Sequence, residues 1–429
     1  MNQPYNDYNN PNNQQPNNNP DNCQENSWQN SSNQYNSYNN QNVNNQYNQA
    51  NQNGGRYGYR PPYQNGYNNQ GYNYGPNGYY NRPPYYQTPP YARGFYPNQP
   101  AWNASFAVEK REKRKELTKK ANWIGGGTLF TVLFGTIVSI IFTGILQLIG
   151  ANPDGIYESA LTYVFYSPLA VFLPYFIAAK GSKNKFSEMI TFDKHSPALG
   201  TGVVLMGFLG MVAGNIASNI FIMLFPSLSN ISDMISTNAA SNYTELIVEI
   251  LYMAAIPAIF EELAFRGVVL KMLRPYGDVF AIVMSSLAFA LIHGNFIQIP
   301  MTFCAGLFMG YAYVRTGNLW SSVIIHFINN SLAVLIPTII ERYPVLNAFW
   351  FDIAIYCCWT IIGGIGLFMV IKKSKNQGIN AGLKKYAGCL SLGERTGAIL
   401  ISPTIIISLL YYLGTAMLLP FIVNSGTIG

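Results

Sequence analysis

The chain has 429 residues, of which 49% are hydrophobic and only 10% are charged. Soluble domains carry about 25% charged residues, so this composition argues against a soluble protein and favours one embedded in lipid. The net charge of +7 lies largely in short segments between long apolar runs. Positive charge in such segments indicates membrane topology and argues against a nucleic-acid-binding surface. No nucleic-acid partner is therefore expected.

Residues 1–101 are rich in Asn, Gln, Tyr, Pro and Gly and contain no lysine. Such a segment cannot bury enough apolar area to offset a backbone entropy cost of about 1–2 kcal/mol per residue. We therefore predict a disordered cytoplasmic tail. Tyrosines spaced through an Asn/Gln background are typical of self-associating sequences. The tail is thus either a flexible tether or a binding segment for an unidentified partner.

Residues 102–122 form a basic segment that directly precedes the first apolar run. Its centre, Glu109 to Lys120, reads EKREKRKELTKK. Lysine and arginine clusters beside a membrane span are retained on the cytoplasmic side, so this segment predicts a cytoplasmic N-terminus. A juxtamembrane position also suits contact with anionic lipid in the bilayer.

Residues 123–424 are predicted to form a transmembrane helical domain. A span takes about 20 apolar residues, and the run at 279–293 is short, with either a re-entrant segment or a tight extracellular-side turn expected near Gly294 and Asn295. With the N-terminus inside, the basic residues of the loops fall on the cytoplasmic side. The predicted fold is therefore an all-α polytopic plasma-membrane protein of roughly eight to nine transmembrane helices, preceded by the long disordered tail. The apolar runs lie near 123–149, 159–179, 198–225, 245–270, 279–293, 296–314, 319–340, 348–371 and 397–423.

Polar side chains interrupt three of these runs, although an ionisable residue costs about 3 kcal/mol or more at the bilayer centre. Glu262 and Arg266 are four residues apart, so they share a helix face and can pair. Glu261 points about 100° away from them, which leaves its carboxylate free to act. His326 and Asn330 also share a face. The full set is Glu261, Glu262, Arg266, His293, His326 and Asn330.

Several functions are compatible with buried polar residues. A Glu–Arg pair alone is more often a structural or transport feature, and a lone membrane histidine can simply hydrogen-bond a carbonyl. Two carboxylates, two histidines and an amide together supply a base, a partner for that base and oxyanion donors, as an acyl-transfer site requires. The alternatives are a non-catalytic membrane scaffold or regulator and a proton-coupled transporter.

Three motifs in this region resemble those of a known family. Residues 261–266 (EELAFR) resemble the EExxxR signature of the type II CAAX prenyl endopeptidases and of the wider CAAX-protease and bacteriocin-processing family. Residues 289–293 match its FxxxH element, and residues 326–330 match its HxxxN element. The motifs occur in the family's order. The resemblance places the catalytic core at about residues 200–345.

The resemblance implies a glutamate-dependent intramembrane endopeptidase. Glu261 would be the general base that activates water, assisted by His293, while His326 and Asn330 would stabilise the oxyanion. Glu262 and Arg266 would hold Glu261 in place. A zinc-dependent version, with Glu261, His293 and His326 as ligands, is the alternative, although the metal-free form with no cofactor is favoured. No HExxH pair is present.

The expected substrate is a membrane-associated peptide or protein in the lipid bilayer. The eukaryotic relatives act on prenylated CaaX tails, but neither the tail nor the short loops indicate a prenyl pathway. Bacterial peptide processing or bacteriocin self-immunity is therefore preferred.

Overall fold

A computed structural model describes residues 99–152, 155–184, 186–226, 239–346, 349–374 and 382–424. Each predicted apolar run is a helix there, and the described residues contain no strand beyond one isolated bridge between Phe192 and Asn318. The all-α architecture is thereby confirmed. The predicted disordered tail, 1–101, lies outside the described residues except for its last three.

Eleven helices are numbered here in chain order. They are α1 (Gln99–Leu148), α2 (Ile156–Gly181), α3 (Phe186–Met189), α4 (Pro197–Leu224), α5 (243–273), α6 (Asp278–Leu291), α7 (Gln298–Thr316), α8 (Trp320–Arg342), α9 (Phe349–Lys373), α10 (Leu392–Leu400) and α11 (Pro403–Asn424). Helix α2 contains a π-helical segment, and α5 contains two. The basic segment 102–122 and the first apolar run are one continuous helix, α1.

Five described helices, α1, α2, α4, α8 and α9, are long and apolar enough to cross a membrane. The count becomes six if α10 and α11, which bend by 72° at the break between them, form one span. This is fewer than the predicted eight to nine because the other apolar runs do not meet both the length and the composition of a span. Helix α5 contains Glu261, Glu262 and Arg266, and α6 has 14 residues. The protein is a multi-pass membrane protein.

The short helix α6 ends in the tight turn that the sequence predicts. Its C-terminal residue, Leu291, lies about 21 Å from its start, less than the roughly 30 Å of a bilayer core. Gly294 follows with φ +67°, a left-handed conformation that glycine adopts without a side-chain penalty. The turn places His293 at the end of α6 and leads directly into α7.

The loops predicted to be cytoplasmic contact one another. The backbone N–H of Asp193 donates to the Gly317 carbonyl, and that of Asp278 donates to the Lys384 carbonyl. Arg315 donates to the Ser374 hydroxyl at 2.8 Å. These contacts gather the loops on one face, as the charge pattern predicts. That this face is cytoplasmic stays a prediction.

Helices α4 and α9 pack closely along a seam of glycines. A Cβ added at Gly366 would lie 2.7 Å from the Gly202 carbonyl oxygen, and one at Gly363 would lie 2.6 Å from Leu209 Cγ. Small residues let backbones approach in this way, which is how membrane helices gain packing energy in the absence of a hydrophobic drive. The seam anchors α4, which also packs against α7 and α8 beside the polar residues.

We expect Gly366→Ala to destabilise the protein by about 1–3 kcal/mol, because its methyl group has no room between α9 and α4. Gly364→Ala is the matched control, since an added Cβ there meets nothing within 4 Å. It should be neutral or stabilising, as alanine is the better helix former. Thermal unfolding of both variants in detergent tests this. Equal midpoints for the two variants would contradict the glycine seam.

Candidate active site

Helix α5 has an irregular backbone around its two glutamates. Glu261 and Glu262 end a short α-helical stretch that lies between π-helical segments at Ile250–Ala255 and Leu263–Leu270. Pro257 lies in this stretch and cannot donate the α-helical bond to the Met253 carbonyl four residues earlier. Wide π turns inside helices occur frequently at functional sites. The local sequence thus places the two carboxylates in a helix whose hydrogen-bond spacing is irregular.

Glu262 and Arg266 form the buried ion pair that their spacing predicts. Arg266 Nη1 lies 2.7 Å from Glu262 Oε1, and both side chains are 0% exposed. Arg266 Nη2 also donates to the Gly306 carbonyl of α7 at 3.2 Å. A buried charge is stable when it is paired and hydrogen-bonded, and each group has such a partner here, while Glu262 Oε2 and Arg266 Nε are buried without a hydrogen bond. The pair ties α5 to α7.

His326 connects the two glutamates. Its Nδ1 lies 3.0 Å from Glu262 Oε1, an acceptor, so Nδ1 carries the proton and donates. This fixes the imidazole ring and turns Nε2 toward Glu261, whose Oε2 lies 3.9 Å away. That separation is too long for a direct hydrogen bond and leaves room for a group that contacts both atoms.

Glu261 has the free carboxylate that the sequence predicts. Its Oε2 is buried and has no hydrogen-bond partner, while the side chain as a whole is 16% exposed. An unpartnered oxygen on a buried carboxylate is costly, so its retention in a membrane helix points to a function. Of the two site histidines, His326 is the one that forms an ion-pair contact with it.

His293 contacts Phe289, which in turn contacts other polar residues of the site. Its Nδ1 lies 2.9 Å from the Phe289 carbonyl, so Nδ1 donates and Nε2 is free to exchange a proton. The Phe289 ring lies 5.0 Å from the His293 ring, 5.6 Å from the His326 ring and 4.5 Å from the Arg266 guanidinium. Phe289 therefore packs against three of the polar residues.

Asn330 has a partner that the sequence did not reveal. Its amide Nδ2 donates to the Met253 carbonyl at 3.2 Å, the same carbonyl that Pro257 cannot serve. Its Oδ1 accepts from Asn329 at 3.1 Å. One amide hydrogen remains for an oxyanion. Asn330 thus supports the irregular part of α5 as well as facing the site.

Helix α2 also contributes to the surroundings of Glu261, although it lies outside the predicted core of residues 200–345. The hydroxyl groups of Tyr163, Tyr166 and Tyr175 are near enough to interact electrostatically with Glu261. Tyr163 also stacks on Tyr252 of α5, with ring centroids 5.4 Å apart. Sequence reasoning missed these tyrosines because a tyrosine in an apolar helix carries no ionisable signal.

The zinc alternative takes Glu261, His293 and His326 as ligands, and a catalytic zinc site needs three protein ligands around one point. His326 Nδ1 is engaged by Glu262, and its other ring nitrogen, Nε2, faces Glu261. A histidine that binds zinc through one ring nitrogen commonly donates from the other to a carboxylate, so this contact fits either mechanism. Across the described residues, no group of three His, Cys, Asp or Glu side chains is placed to hold a metal ion.

Comparison with known proteins agrees with the motifs. Residues 243–332, which carry all six polar residues, match the family described as type II CAAX prenyl endopeptidase Rce1-like. This segment belongs to the CAAX-protease family. The chain is also 34% identical over 93 residues to the membrane-embedded CAAX protease MroQ of Staphylococcus aureus (strain USA300). That match covers 20% of this chain and 38% of the relative, and no solved structure matches.

We expect Arg266→Met to destabilise this CAAX-protease segment by about 3–5 kcal/mol, because it leaves the Glu262 carboxylate buried without its cation. The double variant Glu262→Gln/Arg266→Met removes both charges. It should lose clearly less stability than the single variant, since the glutamine can still accept a hydrogen bond from His326. Unfolding midpoints of the two proteins in detergent give the comparison. A double variant as unstable as the single one would show that the loss is not due to an uncompensated charge.

We expect Asn330→Ala to lower the free energy of unfolding by about 1 kcal/mol, because the Met253 carbonyl loses its side-chain donor. Asn329→Ala removes an amide of the same size from the preceding position and keeps that bond. It should therefore lower the free energy of unfolding by less. Unfolding in detergent compares the two variants. An Asn330→Ala protein as stable as the wild type would restrict Asn330 to a role toward substrate.

Proposed function

We propose that the protein is an intramembrane endopeptidase in which Glu261 activates a water molecule. The observation that carries this proposal is the pairing of the unpartnered Glu261 Oε2 with His326 Nε2 across 3.9 Å. A water in that gap would donate to the carboxylate and lie beside the imidazole. The family match of residues 243–332 supports the same reaction.

In the proposed reaction, Glu261 takes a proton from the water as its oxygen attacks the carbonyl carbon of the scissile peptide bond. The tetrahedral oxyanion accepts hydrogen bonds from Asn330 Nδ2 and from His326 Nε2 when that nitrogen carries a proton. The proton held by Glu261 then passes to the peptide nitrogen as the carbon–nitrogen bond breaks. His293 Nε2 assists Glu261 as a base in the first step, when the water loses its proton. The products are a new carboxyl group and a new amine.

Glu262 and Arg266 act in this scheme by holding other groups. Glu262 fixes the His326 ring through Nδ1, and Arg266 holds Glu262 and the α7 backbone. Groups whose own positions are fixed by a second set of contacts keep the reacting atoms within the narrow range that catalysis requires. No step needs a metal ion.

We propose a membrane-associated peptide or protein as the substrate, in bacterial peptide processing or self-immunity rather than prenyl CaaX cleavage. The relative with 34% identity over the matched segment is a membrane-embedded protease of a bacterium. The site lies among membrane helices, so a substrate that is itself at the membrane reaches it most readily. We also propose that the protein lies in the plasma membrane with its N-terminus in the cytoplasm.

Cleavage of a quenched peptide library by the detergent-solubilised full-length protein tests the mechanism. Glu261→Gln and His326→Ala should each lower kcat/KM by about 100-fold or more, because both remove a group that acts on the reacting atoms. His195→Ala is the matched control. His195 is the one histidine outside the site and contacts the Asp193 carbonyl, so its loss should leave cleavage unchanged.

A parallel series with a chelator separates the two mechanisms. Activity that survives chelation but not Glu261→Gln supports the glutamate mechanism. Loss on chelation with recovery on added zinc would instead make these residues metal ligands. If no form cleaves, proton flux in vesicles is measured next, and flux that Glu261→Gln abolishes would favour a transporter.

A further inference from the structure

An open cleft with a basic lining lies beside helix α1, away from the candidate active site. Its volume is about 360 Å³, and it is lined by four cations of α1, Arg111, Arg114, Lys115 and Lys119, together with Asn122 and Ile401. Ile401 occupies the break between α10 and α11. The basic segment therefore forms one wall of a defined concave site.

A second cleft, with a volume of about 290 Å³, adjoins the first and shares Asn122 with it. Its lining is almost entirely apolar and includes Trp123, Gly126 and Phe130 of α1 and Ile177 of α2. The two clefts follow one another along α1. Cationic residues line the end nearer the basic segment, largely through their aliphatic stems, and apolar residues line the end nearer the membrane interior.

Because of the helix repeat, residues of both clefts form one continuous stripe along α1. Lys115, Lys119, Asn122, Gly126 and Phe130 are spaced by three or four residues, so they lie on one face of α1. From Lys115 to Phe130 the helix rises about 22 Å. A molecule that spans the stripe is therefore anionic at one end and apolar over much of its remaining length.

The charge of the basic cleft is only partly neutralised within the protein. Lys115 pairs with Glu112 at 2.7 Å, and the pair is exposed. No carboxylate among the described residues lies within ion-pairing distance of Arg111, Arg114 or Lys119. Other cations of the same segment are used internally, as when Lys110 pairs with Glu394 at 2.8 Å. The cleft thus retains about three uncompensated positive charges.

We propose that these clefts bind an anionic phospholipid. Its phosphate lies among Arg111, Arg114 and Lys119, and one acyl chain runs over Gly126 toward Phe130. Arginine suits this position because its planar fork donates two hydrogen bonds to phosphate oxygens. Gly126 forms an open floor for the chain, since an added Cβ there meets nothing within 4 Å. The site ties α1, α2 and the break before α11 to a lipid of the negatively charged leaflet.

Thermal unfolding of the full chain in detergent, titrated with phosphatidylglycerol, tests this site. The midpoint should rise and saturate with phosphatidylglycerol, and should not rise with phosphatidylcholine or with glycerol phosphate. The triple variant Arg111→Gln/Arg114→Gln/Lys119→Gln should need about 100-fold more lipid for half the effect, because each cation near an anionic surface contributes roughly a factor of five. Lys372→Gln/Lys373→Gln/Lys385→Gln is the matched control of equal charge change and should respond as the wild type does.

Gly126→Phe tests the apolar half separately. An added Cβ at this position meets nothing within 4 Å, and the ring would extend into the open cleft. The protein should therefore unfold near its usual midpoint without lipid and lose most of the phosphatidylglycerol response. An equal response from the two triple variants would overturn the site. So would an equal effect of glycerol phosphate, which would indicate a soluble phosphate ligand, or an undiminished response of Gly126→Phe.

Discussion

The ion pair between Arg266 and Glu262 is the interaction on which the rest of the candidate site depends. An arginine that is fully buried among membrane helices has to be neutralised and hydrogen-bonded, and here Glu262 and the Gly306 carbonyl do both. The same Glu262 oxygen also accepts from His326. One carboxylate therefore fixes an arginine, an imidazole and three helices, and it cannot itself act as a base. In the proposed mechanism, that role belongs to its neighbour, Glu261.

The two adjacent glutamates differ in their contacts because their side chains point in different directions. Glu262 Oε1 contacts Arg266 and the His326 ring of α8, whereas the Glu261 oxygen that faces His326 has no hydrogen-bond partner. Glu262 Oε2 is likewise buried without a hydrogen bond. The Phe289 ring contacts both imidazole rings and the guanidinium. Polar groups in a membrane interior interact strongly, so an aromatic ring packed against all three limits the arrangements that they can adopt.

The parts of this arrangement that depend on spacing along one helix were predictable from the sequence. The Glu262–Arg266 pair, the free carboxylate of Glu261 and the tight turn at Gly294 follow from helix periodicity and glycine chemistry. Contacts between helices were not predictable in this way. Nothing in the sequence showed that His326 rather than His293 would contact Glu261, or that Asn330 would serve the Met253 carbonyl. Tyr163 and Tyr166 were missed for the same reason, because their place beside Glu261 depends on how α2 packs.

The π-helical segments that flank Glu261 and Glu262 have a consequence for how sequences of this kind can diverge. A π turn holds one residue more than an α turn, and one residue corresponds to a rotation of about 100° about the helix axis. In a regular helix, deleting one residue would turn every later side chain by that angle. Because a π turn absorbs its extra residue, a deletion between Leu263 and Leu270 would instead restore a regular helix and leave the later side chains on their faces. Arg274 would keep its pairing with Asp278, and Glu261 would stay in place. A one-residue change of length is thus accommodated more easily in this stretch than in a regular helix.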